Sequence, residues 1–227
     1  MANEGIVSTQ LGLKGIPNLA EELQITRNLF LLEYTGGKLH IPTISTKKSV
    51  QLIKEAKANG LNVTCSAAVH HLVLTDDKLE GFDTRYKVSP PLRTETDRKA
   101  LLKGIKDGTI DMITSDHNPM DIEHKKMEFD GAKNGTIGLE SAFGALMTVL
   151  PLETVIDKLT NGKARFGIEI QTINEGSCAN ITLFNPEPIS IFIKSSILSK
   201  SKNSAFLQTE IKGKVYGIIN QAKLILA

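Results

Sequence analysis

Apolar and polar positions follow two different periods along the chain, and each period predicts one kind of element. Leu39 opens a short apolar run, and the next segment places Val50, Ile53 and Ala56 at helical spacing before Gly60. Apolar residues three to four positions apart share one helix face, whereas compact β-branched runs are typical of strands. The same succession recurs downstream. The predicted strands cover residues 39–44, 61–69, 86–92 and 110–114, and the predicted helices cover residues 19–34, 46–60, 94–108, 139–150 and 152–159.

This alternation of strands and helices predicts an α/β fold with a parallel sheet, either doubly wound or closed into a barrel. The stretch 122–138 has little periodicity and follows a predicted strand, so we expect a long functional loop there. Beyond about residue 166 the pattern changes to short β-like runs at residues 168–170, 180–184, 189–193, 214–219 and 223–226. We therefore expect two domains, an α/β unit at 1–165 and a small β domain at 166–227.

Composition and charge narrow the range of functions. The 227 residues are 41% hydrophobic and carry a net charge of +2, which does not favour binding to nucleic acid. No run approaches the roughly 18 apolar residues of a membrane span, and the first residues lack the features of a secretory leader. The chain holds only Cys65 and Cys178, too few for a disulfide framework. These features predict a cytoplasmic protein.

Polar residues at the ends of the predicted strands are the candidates for chemistry, because active sites of parallel α/β folds collect there. Asp116 follows one strand, and an Asp at this position can ligate a metal and move a proton. His70 and His71 follow another, where we expect at most one of the two imidazoles to face the site. Ser89 and Arg93 border a proline-rich exit and could contact a polar substrate. Each of these motifs is also compatible with an ordinary turn or a solvated loop.

Taken together, nine short segments stand in the order found in one enzyme family. The chain resembles the C-terminal half of type I dihydroorotases, members of the amidohydrolase superfamily. The segments that carry the resemblance are residues 4–17, 39–46, 70–75, 87–93, 107–111, 114–119, 138–140, 200–203 and 211–215.

The resemblance implies a fold and an activity. The fold would be a partial (β/α)8 barrel made of strands five to eight, followed by a small C-terminal β domain. The activity would be the interconversion of dihydroorotate and N-carbamoyl-aspartate in pyrimidine biosynthesis, with zinc as the cofactor. By motif position, His70 and Asp116 would bind the metal, and Asp116 would also be the catalytic acid and base. Ser89, Asn134 and Gly135 would contact the cyclic amide substrate.

The departures from the family pattern are equally informative. Thr43 stands where the family carries a metal-binding His, Ser89 where it carries a substrate-binding Asn, and Met120 where it carries a substrate-contacting His. His40 lies three positions from Thr43, and we expect it on the opposite face of the strand. Nothing in the chain matches the family's first four strands, which hold further metal ligands. We therefore expect no turnover by this chain alone, and the lost ligands leave open whether it binds metal.

These departures leave three functions to compare. The first is a fragment of a dihydroorotase. The second is a non-catalytic partner of aspartate carbamoyltransferase. The third is another cyclic amidohydrolase, such as a hydantoinase or an allantoinase. Because half a barrel exposes two sheet edges, we also expect a homo-oligomer.

Overall fold

The computed structural model describes residues 1–221 and 223–226 of the chain. The α-helices are Ile6–Leu11 (α1), Asn18–Thr35 (α2), Lys47–Ala58 (α3), Val69–Val73 (α4), Glu95–Lys106 (α5), Ala142–Leu146 (α6) and Leu152–Thr160 (α7). The strands are Ala2–Asn3 (β1), Gly15–Ile16 (β2), Leu39–Ile41 (β3), Val63–Ala68 (β4), Met112–Thr114 (β5), Asn180–Ile191 (β6), Glu210–Asn220 (β7) and Lys223–Leu226 (β8). Within these described ranges, no helix has both the length and the apolar character needed to cross a membrane.

The central sheet is parallel, with the strand order β3-β4-β5. Ile41 and Cys65 are register partners on one face, and both are buried in the core that α3 and α5 complete. On the other face His40 pairs with Thr64, and the His40 Nδ1 lies 3.0 Å from the Thr64 Oγ1. Because side chains alternate along a strand, the two faces of the sheet carry different residues. Helices cover the face that carries Ile41 and Cys65. The other face borders an open cavity of about 630 Å³.

Side-chain caps begin the helices that cover the sheet. The Thr46 hydroxyl accepts a hydrogen bond from the Ser49 backbone N–H and starts α3, whose Val50 and Ile53 are buried. An N-terminal hydroxyl satisfies one of the backbone donors that a helix leaves free in its first turn. At the C-terminal end of α2, Gly36 adopts φ 67°, a left-handed conformation that costs little free energy for glycine. These elements agree with the predicted pattern to within a few residues.

The strand predicted at 86–92 does not form. A short 3-10 helix covers Thr84–Tyr86, and the Lys87 N–H donates to the Thr84 carbonyl at 3.1 Å. Pro90 and Pro91 have no N–H and cannot donate to a sheet ladder. β5 consequently pairs directly with β4, through Ala68 and Thr114 among others.

The C-terminal part ends in an antiparallel sheet with the order β6-β7-β8. The predicted runs 180–184 and 189–193 belong largely to one strand, β6, whereas 168–170 forms no strand. α6 packs on this sheet, where the rings of Phe143 and Phe184 meet edge to face at 5.0 Å. The division between residues 165 and 166 stays a prediction.

Candidate functional site

The register of β4 and β5 brings two polar side chains together. Ala68 and Thr114 are partners at the ends of these strands, and His70 and Asp116 each follow two residues later. The His70 Nε2 lies 3.7 Å from the Asp116 Oδ2. The His70 side chain is 1% exposed and the Asp116 side chain 32% exposed. The pair therefore lies at the carboxyl ends of two adjacent parallel strands, with the carboxylate on the open side.

Burial shifts the protonation of both groups toward neutrality. Burial raises the pKa of Asp116, and burial, reinforced by the neighbouring His71, lowers the pKa of His70 well below its usual value. The His70 Nε2 is buried and has no hydrogen-bond partner in the described part of the chain. A buried nitrogen without a partner is rare and calls for an explanation. A neutral imidazole nitrogen and a carboxylate oxygen that lie side by side are suitable ligand atoms for a metal cation.

His71 has a different role. Its Nε2 lies 3.0 Å from the Pro90 carbonyl oxygen and 3.2 Å from that of Pro91, so this nitrogen carries the proton and donates. Burial lowers the pKa of His71 to about 4. His71 thus fixes the proline-rich segment rather than the site. Both histidines lie in the helical turn α4 rather than on a strand, so helical geometry separates their roles.

Thr43 and His40 line the same cavity, which contradicts the expectation that they lie on opposite faces. β3 ends at Ile41, so strand alternation does not extend to Thr43, which adopts φ 51°. The Thr43 N–H donates to the Ser66 Oγ at 3.2 Å. Asp116 also has a positive φ, 45°. Left-handed backbone at non-glycine residues is strained and often accompanies functional sites.

The described residues do not form a complete metal centre. They contain no group of three or more His, Cys, Asp or Glu side chains arranged to hold an ion. A catalytic zinc ion takes three protein ligands and leaves a fourth position open. His70 and Asp116 supply two, and the Thr43 hydroxyl is a poor substitute for an imidazole. The residues present therefore do not fit a zinc centre by themselves.

The other predicted site residues lie on two segments that backbone hydrogen bonds join. The Gly135 N–H donates to the Lys87 carbonyl at 2.9 Å, so the segment of Asn134 and Gly135 adjoins that of Ser89. The Asn118 N–H donates to the Thr136 carbonyl at 2.9 Å, which links the same loop to the Asp116 segment. Ser89 and Asn134 are exposed and Gly135 is buried. At Gly135, φ is 139°, and a Cβ would lie 2.8 Å from the Asn118 carbonyl oxygen.

Two buried lysines hold these segments, and the sequence pattern did not reveal them. The Lys87 Nζ donates to the carbonyls of Phe129 and Asp130, the latter at 3.0 Å. The Lys125 Nζ donates to the carbonyls of Lys87 and Lys133 at 3.2 and 2.8 Å. Lysines in a charged loop look solvated in a sequence, because no periodicity marks a buried one.

His117 and Arg93 also act on the structure around the site. The His117 Nδ1 lies 3.3 Å from both the Gly138 and the Leu139 N–H groups and accepts from them. Arg93, a candidate for substrate contact, is instead 3% exposed and donates to Asn3, Ser45 and the Ile16 carbonyl. Its guanidinium ties the N-terminal segment to the loop that follows β3.

The chain is similar over nearly its whole length to curated dihydroorotases. It is 43% identical over 229 residues to the dihydroorotase of Geobacter metallireducens and 41% identical over 231 residues to that of Pelotomaculum thermopropionicum. These matches cover 98% and 99% of this chain, but 54% of each relative. The chain thus spans about half the length of the curated relatives it matches. No family model matches the sequence.

Solved structures of cyclic amidohydrolases share the fold. The L-hydantoinase (dihydropyrimidinase) from Arthrobacter aurescens superposes with a TM-score of 0.84 and 26% identity, over 91% of this chain and 48% of that one. The dihydropyrimidinase from Brevibacillus agri gives 0.84 and 25% identity, over 92% and 49%. An inactive dihydroorotase-like domain of a Chaetomium thermophilum CAD-like multifunctional protein gives 0.66 at 21% identity, which concerns the fold alone.

The predicted class is confirmed: an α/β fold with part of a TIM-type barrel and a C-terminal antiparallel sheet. The segments that suggested the family are confirmed as well, since the dihydroorotase matches run over nearly all of the chain. The chain is therefore a relative of the dihydroorotases that corresponds to about half of such an enzyme.

Proposed function

We propose that this chain supplies one half of a dihydroorotase-type centre and does not hydrolyse a cyclic amide by itself. The observation that carries the proposal is the His70–Asp116 pair, whose atoms lie 3.7 Å apart at adjacent strand ends. Its substrate in a complete protein would be dihydroorotate or N-carbamoyl-aspartate, as the names of the curated relatives suggest.

In a complete centre, His70 and Asp116 would be two of the zinc ligands, and zinc would supply Lewis-acid chemistry. Asp116 is also the candidate catalytic residue, because its carboxylate lies on the open side and can hold a proton for transfer to the leaving amide nitrogen. Ser89, Asn134 and Gly135 are the candidate substrate contacts. Gly135 would act through its backbone, and Ser89 and Asn134 expose their side chains to an incoming ring.

The incomplete donor set favours a second candidate, a non-catalytic role. By its resemblance to the family, Thr43 stands where a metal-binding His is expected, and the described residues contain no group of three His, Cys, Asp or Glu side chains that could hold an ion. A chain of this kind could support aspartate carbamoyltransferase as a partner, and the inactive dihydroorotase-like domain shows that the fold exists in a non-catalytic form. A cytoplasmic location and a homo-oligomer stay predictions.

The first experiment measures zinc affinity by competition with a chromophoric chelator, together with dihydroorotate hydrolysis. Wild type should bind zinc weakly and show no turnover, and His70→Ala should abolish the binding. Thr43→His should tighten zinc binding by about tenfold or more, on the scale of changes around a metal site. A His tolerates the left-handed backbone of Thr43 better than most residues do.

The matched control is His124→Ala, which removes an exposed imidazole that is hydrogen-bonded to Asp121. Zinc affinity that is unchanged by His70→Ala would contradict the assigned ligands. Turnover of dihydroorotate by the wild-type chain alone would contradict the proposal that the chain is not catalytic by itself. Turnover of hydantoin or allantoin in place of dihydroorotate would reassign the substrate.

A further inference from the structure

Residues 199–205 belong to no helix or strand and precede β7 in the C-terminal part of the chain. We call this segment the strap. It contains the motif 200–203, which carries part of the family resemblance but has no role in the proposed site. The strap ends in Ser204 and Ala205, both 0% exposed. Since buried backbone groups must find hydrogen-bond partners, the partners of the strap show what it holds in place.

The strap binds the loop of Gly135, mainly through Asn203. The Asn203 Nδ2 donates to the Gly135 carbonyl at 3.0 Å, and the Asn203 carbonyl accepts from the Ile137 N–H at 2.9 Å. The Ala205 N–H donates to the Thr136 hydroxyl at 2.8 Å. Three successive residues of the loop are therefore bonded to the strap, and the bond to Gly135 comes from a side chain.

The strap also binds the segment that follows Asp116. The Ser201 hydroxyl donates to the carbonyl of Met120, which lies four residues beyond Asp116, at 2.6 Å. The Ser199 N–H donates to the Glu140 Oε1 at 2.8 Å. One segment thus bonds both to the loop of the candidate catalytic carboxylate and to the loop of the candidate substrate contacts. It follows that the strap sets the position of one loop relative to the other.

Gly135 is anchored through both of its peptide groups. Its N–H donates to the Lys87 carbonyl at 2.9 Å, and its carbonyl accepts from Asn203. A carbonyl oxygen can accept two hydrogen bonds, so the bond from Asn203 orients this group and leaves one acceptor position for another donor. Glycine is the residue with the most conformational freedom. The anchoring therefore removes freedom that the binding of a substrate would otherwise have to remove.

We infer that Asn203 is a positioning residue for the candidate site and holds the Gly135 carbonyl in the orientation in which a cyclic amide meets it. The inference rests on the proposed function for its substrate, dihydroorotate. Asn203 acts through Gly135 and does not itself touch the substrate. The C-terminal part of the chain thereby contributes to the site, because the strap preorganises contacts that lie on loops of the α/β part.

The test follows the backbone NMR signals of the full chain during a titration with dihydroorotate. Wild type should bind weakly, with a shift of the Gly135 amide signal. Asn203→Ala should weaken this binding by about 3- to 10-fold, the effect of losing one hydrogen bond. In the free chain it should also move the signal of the Gly135 carbonyl carbon upfield, which a change in stability alone does not do. Asn185→Ala is the matched control, since the Asn185 side chain bonds within its own strand, to the Glu187 N–H.

Three results would overturn the inference. They are a dihydroorotate affinity that Asn203→Ala leaves unchanged, a Gly135 carbonyl signal that does not move, and an equal loss of affinity in Asn185→Ala. If the Gly135 amide of the wild type does not respond to dihydroorotate, the substrate contacts of the proposed function are wrong, and the inference falls with them. Thermal unfolding of each variant checks that the fold is retained.

Discussion

Lys87 and Lys125 show how single residues determine the shape of the candidate site. Their side chains are buried, and backbone carbonyl oxygens accept all the hydrogen bonds of the two ammonium groups that the structure shows. In the described ranges, neither ammonium forms an ion pair with a carboxylate within 4.0 Å, the distance that defines one. A buried charge without a counter-ion is costly, so the protonation of the Lys125 ammonium should respond to burial. The two segments that carry Ser89 and Gly135 thus depend on an interaction that pH can change.

Burial, reinforced by Lys87, lowers the pKa of Lys125 from 10.5 to about 8. Between these two values the unfolded chain holds more protons at this residue than the folded chain does, so Lys125 adds stability as the pH rises through that window. Relative to Lys125→Met, the wild type should gain about 1–3 kcal/mol in the free energy of unfolding between pH 7.5 and 10. Urea unfolding at several pH values measures this difference.

The exposed neighbour Lys126 provides the control. Lys126→Met should shift the free energy of unfolding by a nearly constant amount over the same range, because its ammonium is already solvated. A Lys125→Met difference that is equally independent of pH would show that the Lys125 ammonium is not desolvated.

At the scale of elements, three helices begin around one carboxylate. Asp97 is 4% exposed and accepts hydrogen bonds from the Lys47 N–H at 2.9 Å and the Thr94 hydroxyl at 2.7 Å. The Asn18 amide lies 3.4 Å away. These donors belong to the first turns or caps of α3, α5 and α2. Asp97 therefore places a negative charge where three helix dipoles point their positive ends.

Asp97→Ala should destabilise the chain by about 1–3 kcal/mol, because it leaves part-buried donors at three helix starts without their buried acceptor. Urea unfolding measures the loss. Glu95→Ala is the comparison, since Glu95 lies in the same helical turn but pairs with Arg98 at the surface. Equal losses in the two variants would show that the shared carboxylate does not stabilise the convergence of the helices.

Elements of regular period were predictable, and elements set by tertiary contacts were not. α3 and α5 follow from caps and apolar spacing, which are local properties of the sequence. The segment 86–92 was predicted to be a strand, but its backbone carbonyls bond to other partners. The Lys87 carbonyl accepts from the Gly135 N–H, and the Pro90 and Pro91 carbonyls accept from His71. α4 was missed because a five-residue helix is too short to show a period.

Some features of the candidate site were likewise predictable from the sequence, and others were not. His70 and Asp116 could be found because each follows a strand whose end the pattern marks, and the structure places their side chains 3.7 Å apart. The shared cavity of Thr43 and His40 could not be foreseen, because it depends on where β3 ends. The roles of Lys87, Lys125 and Arg93 depend on partners far away in the sequence, which no local pattern encodes.

At the scale of the molecule, the central sheet and the C-terminal sheet differ in how well they are covered. In β4, Val63 and the four residues from Cys65 to Ala68 are buried, whereas every residue of β8 is exposed. The contact of α6 with the C-terminal sheet rests on Phe143, which packs on Phe184 and above Gly213. The apolar residues of β8 include Leu224, Ile225 and Leu226, all more than half exposed. The C-terminal sheet is therefore expected to be the less stable part.

Amide hydrogen exchange measures this difference along the whole chain. Amides of β4 should be protected by about 100-fold or more relative to those of β8, because exposed and poorly packed elements open by local fluctuations. Phe143→Ala should lower protection in β6 and β7 further while leaving β4 nearly unchanged, and Phe82→Ala, at an exposed site, should change neither sheet. If Phe143→Ala instead lowered protection equally in β4 and β7, both sheets would unfold as one cooperative unit. The proposed division at residues 165 and 166 would then have no energetic meaning, since a separate domain must be able to open without its neighbour.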